Sequence, residues 1–399
     1  MKPLNFAVIG TGMLARQIHL PNLVSLSGAC LHTCCDKNEA NLGACAAFQP
    51  KKSTPNFEEA ISDPEVDALI VATTESFRLP IIEAAARAGK PVYCEKPLAD
   101  TLENALRIQR LVADSGIPFC VGHNRRCSPA MREARSIFTS HMRDPQRCDW
   151  RFERPGWETM DIGSNPGAPV VAIRINDDWK SWKFVHLQND LNRKVGLLLS
   201  EGTHFADLAT WFLESDPVSV VCVGQGVLNH VLVIRYANGG LATITMASTG
   251  SFGYPKELLE AMGAGAVVAC DHMLEVRTAG IAGSPAIKTF PMLNDRHPRI
   301  GTAGGVHGWL EKKRAACAEA MEDPMQQFTA EPDKGHRRML QEFIREIRGE
   351  RGPVCPVADA VTATRICLAA AQSYLEERSV ALTEIPSTAK ERVHSLAMV

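Results

Sequence analysis

The sequence predicts an α/β protein, a doubly wound parallel sheet followed by a second domain built on an antiparallel or mixed sheet. Three observations predict it. From Leu4 to about Gly122 short apolar runs alternate with helical patterns, as they do when helices cover both faces of a parallel sheet. The first run leads straight into Gly10-Thr-Gly12-Met-Leu-Ala15, a glycine-rich turn between strand and helix. After Asn124 the strand-like segments come in runs instead of alternating with helices.

The first-domain strands are expected at Phe6-Ala-Val-Ile9, Ala29 to Cys35, Ala68 to Ala72, Pro91 to Cys94 and Pro118 to Val121. Helices are expected between them at Met13 to Leu26, interrupted at Pro21, at Glu39 to Phe48, at Leu79 to Ala88 before Gly89, and at Thr101 to Ser115 behind Asp100. Beyond Asn124 a helix is expected at about Pro129 to His141, and strands at Val170 to Ile175, Val218 to Val223, Val231 to Tyr236 and Leu241 to Ala247. Asn238-Gly239-Gly240 supplies a hairpin turn between the last two strands. Further helices are expected at Glu201 to Leu213, Lys334 to Arg348 and Ala358 to Glu376, with Gly280 to Arg299 as a loop. We divide the chain at 1–123, 124–382 and a tail, 383–399.

Lys and Arg number 43 against 45 Asp and Glu, a net charge of −2. That balance excludes an electrostatically driven nucleic-acid or polybasic membrane binder. No apolar run approaches the roughly 20 residues that cross a bilayer, and the N-terminal apolar stretch is short for a signal peptide. The 13 cysteines are odd in number and scattered, without a Cys-x-x-Cys pair. Reduced, buried thiols and a cytoplasmic location are therefore expected.

Gly10 permits the tight turn, Gly12 opens the backbone to a pyrophosphate, and Ala15 allows close helix packing. Asp36, at the end of the second strand, can accept hydrogen bonds from both ribose hydroxyls and would repel a 2′-phosphate, which favours NAD; Lys37 beside it leaves NADP possible. The alternative for Asp36 is a solvated turn residue. We assign cofactor contacts to Gly10, Gly12, Met13, Leu14, Asp36, Thr73, Glu95 and Lys96.

Lys96, in Cys94-Glu-Lys-Pro97, falls at the carboxyl edge of the parallel sheet, where ligands bind. It can polarise a hydroxyl or carbonyl or carry its proton, or else form a surface pair with Glu95. Glu201 and His204 lie 60° apart on one helix face, so a carboxylate and an imidazole can serve one substrate. Glu-x-x-His also suits a metal, but a third ligand is not evident nearby, and no metal is expected. Taken singly, Glu201 suits a helix N-terminus and His204 a helix interior. Between Arg174 and His186, Trp182 and His186 stand among cations and carboxylates, suiting either sugar binding or an edge strand with an amphipathic loop. Arg125 and Arg126 are either a substrate or cofactor clamp at the domain junction or interdomain salt bridges.

Gly10 to Ala15, Gly89-Lys-Pro-Val-Tyr-Cys-Glu-Lys-Pro97, Gly122-His-Asn-Arg-Arg-Cys-Ser-Pro129 and Glu201-Gly-Thr-His-Phe-Ala-Asp-Leu208, with Tyr254-Pro-Lys-Glu257, Glu260 and Asp333-Lys-Gly-His336, are together similar to the landmarks of the glucose-fructose oxidoreductase, inositol dehydrogenase and rhizopine catabolism (Gfo/Idh/MocA) family. The resemblance covers about Leu4 to Leu382. It implies a Rossmann domain plus a C-terminal α/β domain whose open, mostly antiparallel sheet often forms a homo-oligomer interface. It also implies an NAD(P)-dependent oxidoreductase acting on CH–OH groups of sugars, cyclitols and their derivatives, with Lys96 and His204 at the catalytic positions. The family often places an aspartate four residues before the histidine, where this chain has Ser200, so either a neighbour, Glu201 in preference to His186, compensates by orienting His204 or binding the substrate hydroxyl, or the proton relay is different. Arg125, Trp182 and His186 are the candidate substrate groups. Two other readings follow from the same resemblance: an NAD-dependent glycosidase working by transient oxidation and elimination, and a non-catalytic nucleotide-sensing regulator.

Overall fold

The computed structural model describes residues 2–143, 168–178, 190–293, 304–319 and 331–385. β1 (Leu4–Ile9), β2 (Ala29–Cys35), β3 (Lys52–Thr54), β4 (Ala68–Val71), β5 (Val92–Cys94) and β6 (Phe119–Val121) form one parallel sheet in the order 3-2-1-4-5-6. Phe6 to Ile9 and Ala68 to Val71 are buried without alternation, as strands covered on both faces must be. β3 was not legible in the sequence, because Lys52-Ser-Thr54 is an exposed edge with no apolar pattern.

Pro21 lacks the N–H that a continuous α-helix would use. The chain accommodates it with a π-helical turn, Ala15–His19, running into α1 (Leu20–Ser25). α2 (Glu39–Cys45) is capped by the Asn38 side chain, and α3 (Phe57–Ser62), missed in the sequence, by that of Asn56. α4 spans Arg78–Arg87. α5 (Leu102–Ser115) opens on Thr101, whose hydroxyl accepts from Asn104 N–H at 3.1 Å, one residue beyond the expected Asp100.

After α6 (Pro129–Met142) come β7 (Val170–Asn176), α7 (Asp190–Val195) and α8 (Gly202–Leu213). Then follow β8 (Pro217–Gln225), β9 (Asn229–Tyr236), β10 (Leu241–Ala247), β11 (Glu257–Gly263), β12 (Ala266–Asp271), β13 (Glu275–Ala279) and β14 (Ile287–Thr289). With β17 (Val380–Ala381) they make a nine-stranded sheet, 14-13-12-11-7-10-9-8-17, antiparallel except where β7 meets β10. The Asn238-Gly-Gly240 turn joins β9 to β10 as expected, with Gly239 at φ 84°. The expected loop Gly280 to Arg299 differs: it contains β14 and β15 (Met292–Leu293), the latter paired with β16 (Glu331–Pro332). α9 (Gly305–Glu319) lies between those two short strands in sequence. α8 and α6 pack on one face of the large sheet, and on the other Val221, Val223, Val231 and Val233 stand exposed in facing pairs across β8 and β9.

The last helices, α10 (His336–Ile347) and α11 (Val357–Glu376), return to the first sheet. Phe343 of α10 meets the rings of Phe6 and Tyr93, and α11 packs against both α5 and α8. Glu346 accepts the Phe119 N–H at 2.9 Å, while its other oxygen is buried without a partner. Burial pushes this carboxyl up to about 7, against the opposing Phe119 hydrogen bond. A folded pKa above the unfolded one means that the contribution to stability is complete below about pH 4 and is lost as pH rises through about 7. Glu346→Gln is therefore expected to raise the Tm at pH 8 and to leave it unchanged at pH 4. Equal differences at both pH values would show that the carboxyl does not titrate in that window.

Candidate active site

The site lies where the carboxyl edge of the first sheet meets the N-terminus of α8. Gly10, at φ 88°, sits so close to the backbone that a Cβ there would fall 2.6 Å from Thr73 N. No other side chain fits, and the turn is thereby fixed. A Cβ on Gly12 would meet nothing within 4 Å, so the space in front of that backbone is open to a phosphate. Asp36 holds the same turn: one carboxylate oxygen accepts from Thr11 N at 2.8 Å and from Asn41 Nδ2 at 3.1 Å, and the other accepts from Asn38 N at 2.9 Å. Met13 and Leu14 remain exposed at the rim despite being apolar, and Thr73 Oγ1 is buried without a partner. A cleft of open backbone, exposed apolar side chains and an acid at the end of β2 fits a dinucleotide.

Lys96 leaves the end of β5 with its side chain only 14% exposed. Its Nζ donates to Ser200 O at 2.9 Å and to the Glu201 carboxylate at 3.3 Å. An ammonium has three donors, so one is left to point at a ligand oxygen. Two groups that the sequence did not single out fix this lysine's loop. Arg78, buried at the start of α4, donates to the carbonyls of Glu95 and Pro97, and to Thr73 O at 2.8 and 3.1 Å. His19, on the π-helical turn, meets Glu95 at 2.9 Å. Burial disfavours the Glu95 anion, but the His19 hydrogen bond and the charges of His19 and Lys96 outweigh it and bring its pKa down to about 2. Glu95 is thus a fixed anion behind Lys96. An arginine at a helix start reads in sequence as a surface residue, and nothing in the chain signals its role here.

His204 sits in the first turn of α8 and is 4% exposed. Burial, reinforced by the charges of Arg125 and Lys96, holds its pKa well below the ordinary histidine range. Its surroundings thus favour the neutral imidazole, whose Nδ1 has no partner. Ser200 Oγ and Thr203 Oγ1, from the same segment, are also buried without partners. Such orphaned groups are costly unless a ligand or water meets them.

The expected pairing of Glu201 with His204 does not form. Glu201 is the N-cap residue of α8, and three cations converge on its carboxylate: Lys96 at 3.3 Å, Lys256 at 3.3 Å and Arg125 at 4.0 Å. Burial would raise its pKa, but Lys256, Lys96 and Arg125 together hold it far below the usual carboxylate range. These cations also oppose a metal at this position. Among the described residues the single cluster with metal-ligand spacing is His123, Asp207 and Cys355, but both oxygens of Asp207 are already taken by Arg126, at 2.6 and 2.8 Å.

Arg125 takes the salt-bridge course, but within residues 124–382. It forms a bidentate pair with Glu257 at 2.5 and 2.9 Å and stacks over Phe205, so its guanidinium is engaged within the protein. Trp182 and His186 lie outside the described residues.

Two family models match the chain: an oxidoreductase family with an NAD-binding Rossmann fold over residues 4–123, and its C-terminal alpha/beta domain over residues 175–382. The chain belongs to the Gfo/Idh/MocA oxidoreductase family. It is an NAD-dependent oxidoreductase, and its two large sheets are those of the family. It is 27% identical over 344 residues to inositol 2-dehydrogenase 2 of Saccharopolyspora erythraea, covering 79% of this chain and 91% of that one. Against myo-inositol 2-dehydrogenase of Thermotoga maritima it is 22% identical over 396 residues, covering 96% and 99%. The fold matches scyllo-inositol dehydrogenase of Lactobacillus casei, solved with NAD(H) and scyllo-inositol, at a TM-score of 0.69 and 17% identity, over 96% of this chain and 100% of that one.

Proposed function

We propose that this family member transfers hydride between NAD and a secondary CH–OH or ketone carbon of a sugar, cyclitol or related polyol. Residues 1–123 would bind the cofactor and 124–382 the substrate. The observation that carries the reading is that Lys96, held by the Ser200 carbonyl and Glu201 with a donor to spare, stands beside the segment that carries the buried His204, whose Nδ1 has no partner. When bound, NAD supplies the hydride acceptor or donor at its nicotinamide. Lys96 Nζ then donates to the reacting oxygen and stabilises negative charge developing on it. His204 takes the hydroxyl proton in the oxidising direction and returns it in the reducing one. Ser200 Oγ and Thr203 Oγ1 offer neighbouring partners for further hydroxyls of a polyol. The inositol dehydrogenases among the relatives support this substrate class.

Absorbance of NADH across a panel of inositols, sugars and glycosides tests the reading. Net NADH with a polyol supports it. Glycoside cleavage without net NADH would replace it with the glycosidase that uses NAD transiently.

We also expect NAD to bind at least tenfold tighter than NADP, because Asp36 meets a 2′-phosphate as a like charge. Titration of both cofactors against wild type and Asp36→Ala checks this. Tighter NADP binding to the wild type would assign the site to Lys37. A dimer or tetramer would use the exposed valine face of β8 and β9, as relatives in the family often do, and the mass in solution tests it.

A further inference from the structure

The carboxylate beside Lys96 is held from behind. Lys256, immediately before β11, has its side chain 12% exposed; its Nζ stands 3.3 Å from Glu201 Oε2 and 3.1 Å from Asp177 Oδ2. Asp177, just past β7, has a side chain only 3% exposed. Glu201 therefore gives one oxygen to Lys96 and the other to Lys256, and Lys256 is shared with a second buried acid. The elements around Glu201 bring Lys96 from β5, Arg125 from the turn before α6, Lys256 from the start of β11 and His204 from α8, with Asp177 and Glu257 behind the cations. A flexible carboxylate at a helix N-cap has several staggered rotamers open to it. With a cation on each oxygen, one arrangement satisfies both charges.

We propose that Lys256, anchored by Asp177, is a positioning residue that fixes the Glu201 carboxylate against Lys96 and so aims the lysine's remaining donor into the cleft. It touches neither cofactor nor substrate, and it acts through Glu201. The proposal rests on the reading of Lys96 as a group of the reaction site, and it explains how a chain with Ser200 in place of the family's aspartate still gives Lys96 an anionic partner.

The test uses the full-length protein with 13C-labelled glutamate carboxyls, Glu201 being assigned by its loss in Glu201→Gln. In the wild type the Glu201 resonance is expected not to move above about pH 4. In Lys256→Met, loss of one facing cation should raise its midpoint by about one unit or more, and Lys256→Arg should return it. On the polyol that the wild type turns over, Lys256→Met should lower kcat about tenfold or more and move the acid limb of the kcat profile upward, with NAD affinity within about twofold of wild type. Lys256→Arg should restore most of the turnover. If Lys256→Met does not fold, Lys256→Gln, which keeps a donor but no charge, is read on the same scales. An unshifted Glu201 titration in the neutral variant, or an unchanged kcat and pH profile, overturns the proposal. If no polyol is turned over by the wild type, the functional reading fails, and the Glu201 titration still decides whether Lys256 holds that carboxylate.

Discussion

Lys96→Ala and His204→Ala are each expected to lower turnover by about a hundredfold or more while NAD affinity stays within about threefold. The loss follows from removing a charge-stabilising donor in one case and the proton acceptor in the other. Affinity should be spared because the Gly10 to Ala15 turn and Asp36 would hold the dinucleotide elsewhere. The pH profile separates the two roles. The burial and facing charges that depress His204 keep it unprotonated below the ordinary histidine range. In the wild type, kcat/KM should therefore stay level as pH falls through 6.5 and decline only below it. Steady-state kinetics across pH 5 to 9 measure this. A limb at or above pH 6.5, or near wild-type turnover in His204→Ala, would remove the imidazole from the chemistry.

Asp207→Ala is expected to cost about 3 kcal/mol of stability. Arg126 is 4% exposed and forms its bidentate pair with Asp207, while its third contact, with Asp359 at 2.7 Å, is to a half-exposed carboxylate. Removing Asp207 leaves a buried guanidinium with one screened carboxylate and the Val354 carbonyl at 3.3 Å, neither of which replaces the lost buried anion. The doubly apolar Arg126→Met/Asp207→Leu should recover much of the loss, because no charge is then left buried. Urea unfolding followed by circular dichroism reads both. A single variant within about 0.5 kcal/mol of wild type would show that Asp359 alone suffices.

The parts of the fold that could be read in the sequence are those in which one short segment carries its own signal. Phe6 to Ile9 before Gly10-x-Gly12 announces strand, turn and helix together, and Asn238-Gly-Gly240 places a hairpin without any knowledge of the rest. Glu257 to Asp271 gave no clear strand pattern, because the buried alternate positions of β11 are Glu257, Leu259 and Ala261, a charged and a small residue where an apolar face is looked for, and β12 is mostly buried without alternation. Lys96 and His204 could be singled out as candidates from their motifs. The partner of Glu201 was not, since helix geometry relates it to His204 three residues away and says nothing of Lys96, 105 residues distant, or of Lys256, 55 residues distant. Arg78 stayed invisible for the same reason: its acceptors are carbonyls, which every residue has.

The return of α10 to the first sheet bears on how the chain is made. Phe6 and Tyr93 leave the ribosome early, yet the ring that covers both, Phe343, is synthesised roughly 250 residues after Tyr93. At about 5 to 20 residues per second that is an interval of tens of seconds in which the nascent nucleotide-binding half must wait with an aromatic patch uncovered. A chain stopped anywhere before α10 would carry that patch permanently. Truncations ending near residue 330 should therefore collect on chaperones or precipitate, even though every strand of the first sheet has been translated.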